Sequence, residues 1–168
     1  MLAGGYVNVE LNVLQIIVEW RINMSGKRYY FAYGSNMDNR QIRERCPDAV
    51  SVSMATLRGY RFIINTHGVA TVVPDTSGVV YGILWNISKR DEESLDVYEG
   101  VRWGTYRKDY VDIEAQDGKL SSVLIYIAGD SDIGSPWDGY MERIISAAEK
   151  QGLPEKYIEE LRSWLRQL

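Results

Sequence analysis

The chain has 168 residues, 45% of them hydrophobic, with a formal net charge of −4, one cysteine (Cys46) and one histidine (His67). This length buries one core and is short for two, and the acidic balance gives no electrostatic reason to bind phosphate backbones or anionic membranes, so neither nucleic acid nor membrane is an expected partner. A lone cysteine excludes an intrachain disulfide and a multi-thiolate zinc site, and a lone histidine excludes histidine-clustered metal sites; no metal is expected, and a reducing cytoplasmic setting suits the composition.

Residues 1–27 form a separate N-terminal extension. Val7, Val9, Leu11 and Val13 alternate with polar residues, and after a slip at Leu14 the alternation resumes as Ile16, Val18, Trp20 and Ile22. A period of two predicts strand. The apolar stretch Leu11 to Val18 is broken by Asn12 and Gln15, far short of the ~20 apolar residues that span a bilayer. No basic residue precedes it and no small-residue cleavage pattern follows, so it does not read as a signal peptide. Met24 is a second plausible start, and the extension reads either as an extra edge strand or as an over-long reading frame. An unpaired apolar edge invites association, so a formed edge strand predicts pairing with another sheet edge, as in a homodimer.

From Arg28 to the end, residues 28–168 read as one domain. Arg28 to Tyr33 is the first core strand, stopped by Gly34; Asn36 is placed to cap a helix from about Met37 to Arg45, closed by Pro47. Further strands are expected at Val50 to Leu57, Tyr60 to Asn65, Ala70 to Val73, Val79 to Ile87, Tyr106 to Glu114 and Leu120 to Ala128. Turn signals stand at Gly59, Gly68, Pro74-Asp75 and Asp117-Gly118. Ser88 caps a helix with Asp91 answering three residues on, and Gly100 ends it. The last helices are Trp137 to Lys150 and Glu155 to Gln167, the latter burying Tyr157, Ile158, Leu161, Trp164 and Leu165. Strands in the middle and helices at the end give an α+β class with a mainly antiparallel, barrel-like sheet.

Two places carry candidate chemistry. A strand ending in Gly34-Ser35-Asn36 at a helix start turns several backbone N–H groups one way, a geometry that holds an anion; the same residues also suit an ordinary strand-to-helix turn. Glu99 falls at the C-terminal end of a helix, where the dipole disfavours an ionised carboxylate. Leu95 and Val97 or Tyr98 would anchor that helix, and Tyr98, Trp103 and Tyr106 would supply an apolar wall. Both effects raise its pKa towards the range of a general acid or base, against the alternative of a solvated surface glutamate. His67 reads as a loop residue and Cys46 as structural. Tyr33, Tyr106 and Tyr140 lie beside turns or element ends where their hydroxyls reach a polar ligand.

The stretch Tyr30-Phe31-Ala32-Tyr33-Gly34-Ser35-Asn36 resembles the opening signature of the gamma-glutamylcyclotransferase family (AIG2-like). Three more stretches resemble it in the same order: Leu95 to Val101 with Gly104-Thr105-Tyr106, Ser135-Pro136 leading to Tyr140, and Ala147 to Pro154 with Tyr157. The resemblance runs from roughly Tyr29 to Leu161. It implies a small β-barrel flanked by helices and a cofactor-free enzyme. In that enzyme, Tyr30, Phe31, Ala32, Tyr33, Gly34, Ser35 and Asn36 hold a small-molecule gamma-glutamyl substrate through backbone groups, Tyr106 and Tyr140 line the pocket, and Glu99 is the general acid/base. The implied reaction is attack of the substrate's own α-amine on its γ-carbonyl, releasing 5-oxoproline and a free amine or amino acid. A non-catalytic module binding a small carboxylate-bearing metabolite, or a cyclotransferase serving a secondary metabolite, are the competing readings.

Met37 stands where the family usually has leucine, a volume-conserving change. Gly129 to Gly134 and Trp137-Asp138 depart from the family near the expected pocket mouth, and nothing of the family transfers to the extension.

Overall fold

The computed structural model describes residues 27–167; the strand expected in the N-terminal extension lies outside them. Five strands, β1 (Arg28–Ala32), β2 (Val50–Ile64), β3 (Ala70–Ile87), β4 (Tyr106–Ala115) and β5 (Gly118–Ala128), close into a barrel in the order β1-β3-β2-β4-β5. Every neighbouring pair is antiparallel except β1 and β5, which close the barrel in parallel at Tyr30 and Leu124. Four α-helices flank it: α1 (Asn39–Arg45), α2 (Lys89–Tyr98), α3 (Tyr140–Lys150) and α4 (Glu155–Arg162). The α+β barrel expected from the sequence is therefore the observed fold. No helix of the described residues is long and apolar enough to cross a membrane.

Two pairs of expected strands are each one long strand. At Gly59 the chain takes a positive φ of 80° without turning back, and the pairing jumps from Arg58–Val79 to Tyr60–Pro74. Residues 75–78 of β3 are thereby extruded beside a kink in β2, a bulge rather than a hairpin. Asp75 stabilises it by accepting from the Ser77 N–H at 3.0 Å and the Ser77 hydroxyl at 2.9 Å. The turns at Gly68 and before Gly118 are where the sequence puts them: Gly68 N–H bonds Asn65 O at 2.9 Å, and Ala115 pairs with Gly118.

The core fills the barrel and the helix contacts. Phe31, Ile63, Leu84, Ile113, Ile125, Met141 and Leu95 are fully buried. Apolar burial of this kind supplies most of the driving force for folding. The helix α4 buries Tyr157, Ile158 and Leu161, then tightens into a 3₁₀ turn over Ser163–Gln167 that leaves Trp164 half-buried against Phe62.

Helix α2 is held differently. Leu95 is its only buried apolar residue, while Val97 and Tyr98, expected as anchors, are 80% and 58% exposed. Polar contacts do the anchoring instead. Ser88 and Asp91 form the expected capping box, and buried Asp91 also accepts from the Asp48 N–H at 3.3 Å. Lys108 of β4 bridges Glu92 at 2.7 Å and Asp96 at 2.8 Å, and the Tyr126 hydroxyl of β5 donates to Asp96 at 2.7 Å. The Ser94 hydroxyl donates to Arg45 O at 2.7 Å, joining α2 to the end of α1. Hydrogen bonds to charged groups are individually stronger and more directional than apolar contact, so this network fixes the rotation of α2 and with it the direction in which the next residue points.

Candidate active site

The chain leaves β1 at Ala32 and winds one 3₁₀ turn over Ser35–Met37, in which Met37 N–H bonds Gly34 O at 3.0 Å and Asp38 N–H bonds Ser35 O at 3.1 Å. The first amides of such a turn have no acceptor within it. The helix cap expected at Asn36 is instead Asp38, whose carboxylate accepts from the N–H groups of Arg40 and Gln41, both at 2.9 Å. The extra 3₁₀ turn shifts the start of α1 to Asn39 and frees the Asn36 side chain to point inward, where it is 5% exposed.

Glu99 is the C-terminal cap of α2, with its N–H bonded to Leu95 O at 2.8 Å, and Gly100 follows in the left-handed region at φ 64°. That stop, together with the anchoring of α2, directs the Glu99 side chain to the Gly34–Asn36 turn. Only 15% of it is exposed. The Asn36 side-chain N–H donates to Glu99 Oε1 at 3.0 Å and to the Tyr30 hydroxyl at 3.0 Å. Burial pushes the Glu99 carboxyl above the usual carboxylate range, and the Arg45 guanidinium at 3.8 Å and the Asn36 amide partly offset this. The wall expected from Tyr98 and Trp103 is absent: they are 58% and 81% exposed. Burial comes instead from Tyr30, Tyr33, Tyr106, Tyr126 and Tyr140, which line one pocket with Gly34, Ser35, Asn36, Ala70 and Glu99.

Three of these tyrosines are fixed by main-chain partners. Tyr33 OH donates to Tyr126 O at 2.6 Å, and Tyr106 OH to Ala70 O at 2.6 Å; Tyr140 OH accepts from Ala70 N–H at 3.2 Å. Burial raises all five phenols above their ordinary value, so they are neutral in the physiological range. Since Tyr140 OH is spent as an acceptor on Ala70, its proton remains available to an anionic ligand. Its oxygen lies 3.9 Å from where a Cβ on Gly34 would stand, so a side chain there would narrow the pocket.

Of the residues singled out in the sequence, Tyr30, Tyr33, Gly34, Ser35, Asn36, Glu99, Tyr106 and Tyr140 therefore surround one pocket. Phe31 and Ala32 are core: the Phe31 ring and the Ala32 carbonyl crowd the face of Gly82, leaving these two residues only their backbone to offer a ligand. His67 lies in the turn next to Trp137, outside the pocket, and Cys46 is buried with its thiol pushed up to about 12 by desolvation. Three contributors were not legible. Tyr126 reads as one more core residue of a strand, and Gln41 and Arg45 read as the polar face of α1. Arg45 also suits the negative end of that helix, which hides its inward contact.

The AIG2-like family model matches residues 79–161. The chain is 30% identical over 144 residues to a human gamma-glutamylcyclotransferase and 31% identical over 144 residues to one from cattle (Bos taurus), in each case covering 80% of this chain and 77% of the relative. A solved structure described as a gamma-glutamyl cyclotransferase superposes with a TM-score of 0.75 at 29% identity, covering 81% of this chain and 86% of that one.

Proposed function

The chain belongs to the gamma-glutamylcyclotransferase family, and from that premise we propose that it cyclises the gamma-glutamyl group of a small substrate to 5-oxoproline, releasing an amine or amino acid. The observation that carries this reading is the placement of one largely buried carboxylate, Glu99, 3.0 Å from an amide of the turn that is to hold the glutamyl end.

The residue types suit the chemistry. A gamma-glutamyl group contains its own nucleophile, so the protein has no need of a serine or cysteine; it must fold the substrate and move protons. In the proposed cycle the substrate α-carboxylate sits against the free amides at Ser35 and Asn36 and the Tyr140 hydroxyl. Glu99 takes one proton from the α-ammonium, and the neutral amine attacks the γ-carbonyl carbon, forming a C–N bond and a tetrahedral oxyanion. The attacking nitrogen sheds its surplus proton to water. The leaving nitrogen receives the proton held on Glu99, the γ-carbon to leaving-nitrogen bond breaks, and Glu99 is again a carboxylate. The neutral, immobilised phenols of the pocket keep it polar enough to bind the zwitterion without offering a competing base.

Incubation of the protein with a panel of gamma-glutamyl amino acids and gamma-glutamyl amines, followed by chromatography of 5-oxoproline, is the test. Stoichiometric 5-oxoproline and free amine from at least one member are expected. Binding of panel members by folded protein with no cyclised product from any of them would remove the reading and leave a binding module.

A further inference from the structure

We infer that Arg45, acting through the Asn36 amide, is a positioning residue for the proposed reaction: it fixes which oxygen of Glu99 is anchored to the protein and which is left to carry the proton. The inference rests on the reading of Glu99 as the proton carrier and adds to it a residue that no motif marks.

The geometry is a chain of four side chains. Arg45, the last residue of α1, donates from Nη1 to Asn36 Oδ1 at 2.8 Å, and Gln41 donates to the same oxygen at 3.0 Å while also reaching the Ser35 hydroxyl at 2.7 Å. With two donors on Oδ1, the amide of Asn36 has one orientation. Its Nδ2 must face the other way, where its two hydrogens go to Tyr30 OH and to Glu99 Oε1. Glu99 Oε1 is thus occupied, whereas Oε2 has no hydrogen-bond partner among the described residues. A carboxylate anchored through one oxygen and open at the other presents the proton from a defined position, which is what a group moving it between two nitrogens requires.

Arg45 also sets the charge of the site. Its Nη1 is 3.8 Å from Glu99 Oε1, and no other cation pairs with Glu99 among the described residues. The titratable groups that sense Glu99 from the surrounding elements are Tyr30 on β1, Tyr33 just after it, Cys46 after α1, Tyr106 on β4 and Tyr140 on α3. All are held neutral by burial, so among the described residues Arg45 supplies the one charge that opposes the desolvation of the carboxylate, beside the hydrogen bond from Asn36. Tyr98 holds the guanidinium from outside, its ring centroid 4.9 Å from the Arg45 carbon. The main-chain carbonyl of Arg45 takes the Ser94 hydroxyl, a contact that survives any substitution of the side chain.

The test compares wild type, Arg45→Met and Arg45→Lys over a pH series, by 5-oxoproline release and by the Glu99 Cδ resonance of carbon-13-labelled protein. Arg45→Met is expected to lower kcat about 10- to 100-fold at neutral pH with a smaller change in KM. It is also expected to move both the acidic limb of the rate profile and the Cδ titration to higher pH, because the ionised form loses its only compensating charge. Arg45→Lys keeps a charge without the planar fork; it is expected to return the titration towards wild type while leaving kcat reduced. A Cδ titration unmoved in folded Arg45→Met overturns the inference, whatever the rate. The resonance is readable without turnover, so a protein that cyclises nothing yet shows the shift would sink the proposed function and leave the positioning of Glu99 standing.

Discussion

At the scale of single residues, the site is built around Glu99, a carboxylate that is costly to ionise where it sits. Glu99→Gln keeps the volume and can still accept from Asn36, yet it cannot exchange a proton; turnover is expected to fall by about two to four orders of magnitude with KM nearly unchanged. The same substitution bears on stability. Because burial raises the Glu99 pKa above its unfolded value, the folded chain binds the proton more tightly than the unfolded one, so Glu99 lowers stability as pH rises through that window and on above it. Thermal melts should therefore show Glu99→Gln equal to wild type in acid and more stable at neutral pH. A lower melting temperature for the variant at neutral pH would mean that Arg45 and Asn36 outweigh the burial. The helix-ending position of Glu99 marks it in the sequence as a carboxylate set against the dipole, but leaves a solvated surface glutamate open as well; the acid/base role comes from the family resemblance. The partner that modulates it was not legible, since Asn36 fits the profile of a helix cap as well as Asp38 does, and only the intervening 3₁₀ turn decides between them.

At the scale of elements, the pocket depends on how β1 and α2 are seated. Gly82 faces β1 so closely that an added Cβ would stand 2.3 Å from the Ala32 carbonyl and 2.8 Å from the Phe31 ring. Gly82→Ala is therefore expected to cost about 1–3 kcal/mol in denaturant unfolding, and to reduce turnover by displacing the strand that ends in the Gly34 turn. Ser88→Ala removes the hydroxyl that caps Asp91 N–H at 3.1 Å and should cost about 1 kcal/mol. A measured loss near zero would mean that the salt-bridged end of α2 carries the helix without its cap. The capping box and the strand alternations were readable because local periodicity and local side-chain chemistry produce them. The seating of α2 was not, for it rests on Lys108, Tyr126 and Arg45, which lie on other elements and look in sequence like ordinary strand or surface positions. Likewise Gly59 and Pro74-Asp75 carry turn chemistry, but paired bulges satisfy the same backbone preferences within two long strands.

At the scale of the whole molecule, a barrel closed by one parallel contact brings the ends of β1, β4 and β5 to the same pocket, so residues as distant in sequence as Tyr30, Glu99, Tyr106 and Tyr140 share it. The sequence's proposal of a homodimer through residues 1–27 is testable at this scale. In size-exclusion chromatography with light scattering the full chain should have the mass of two copies and a chain beginning at Met24 the mass of one; the same number of copies in both would set the proposal aside. Proton transfer by Glu99 is tested by one measurement, 5-oxoproline release by wild type and Glu99→Gln at matched concentration on the panel member that wild type turns over fastest. Wild type is expected to convert it fully while the variant, folded and still binding the compound, forms product at least about 100-fold more slowly. Equal rates would contradict the assignment of proton transfer to Glu99.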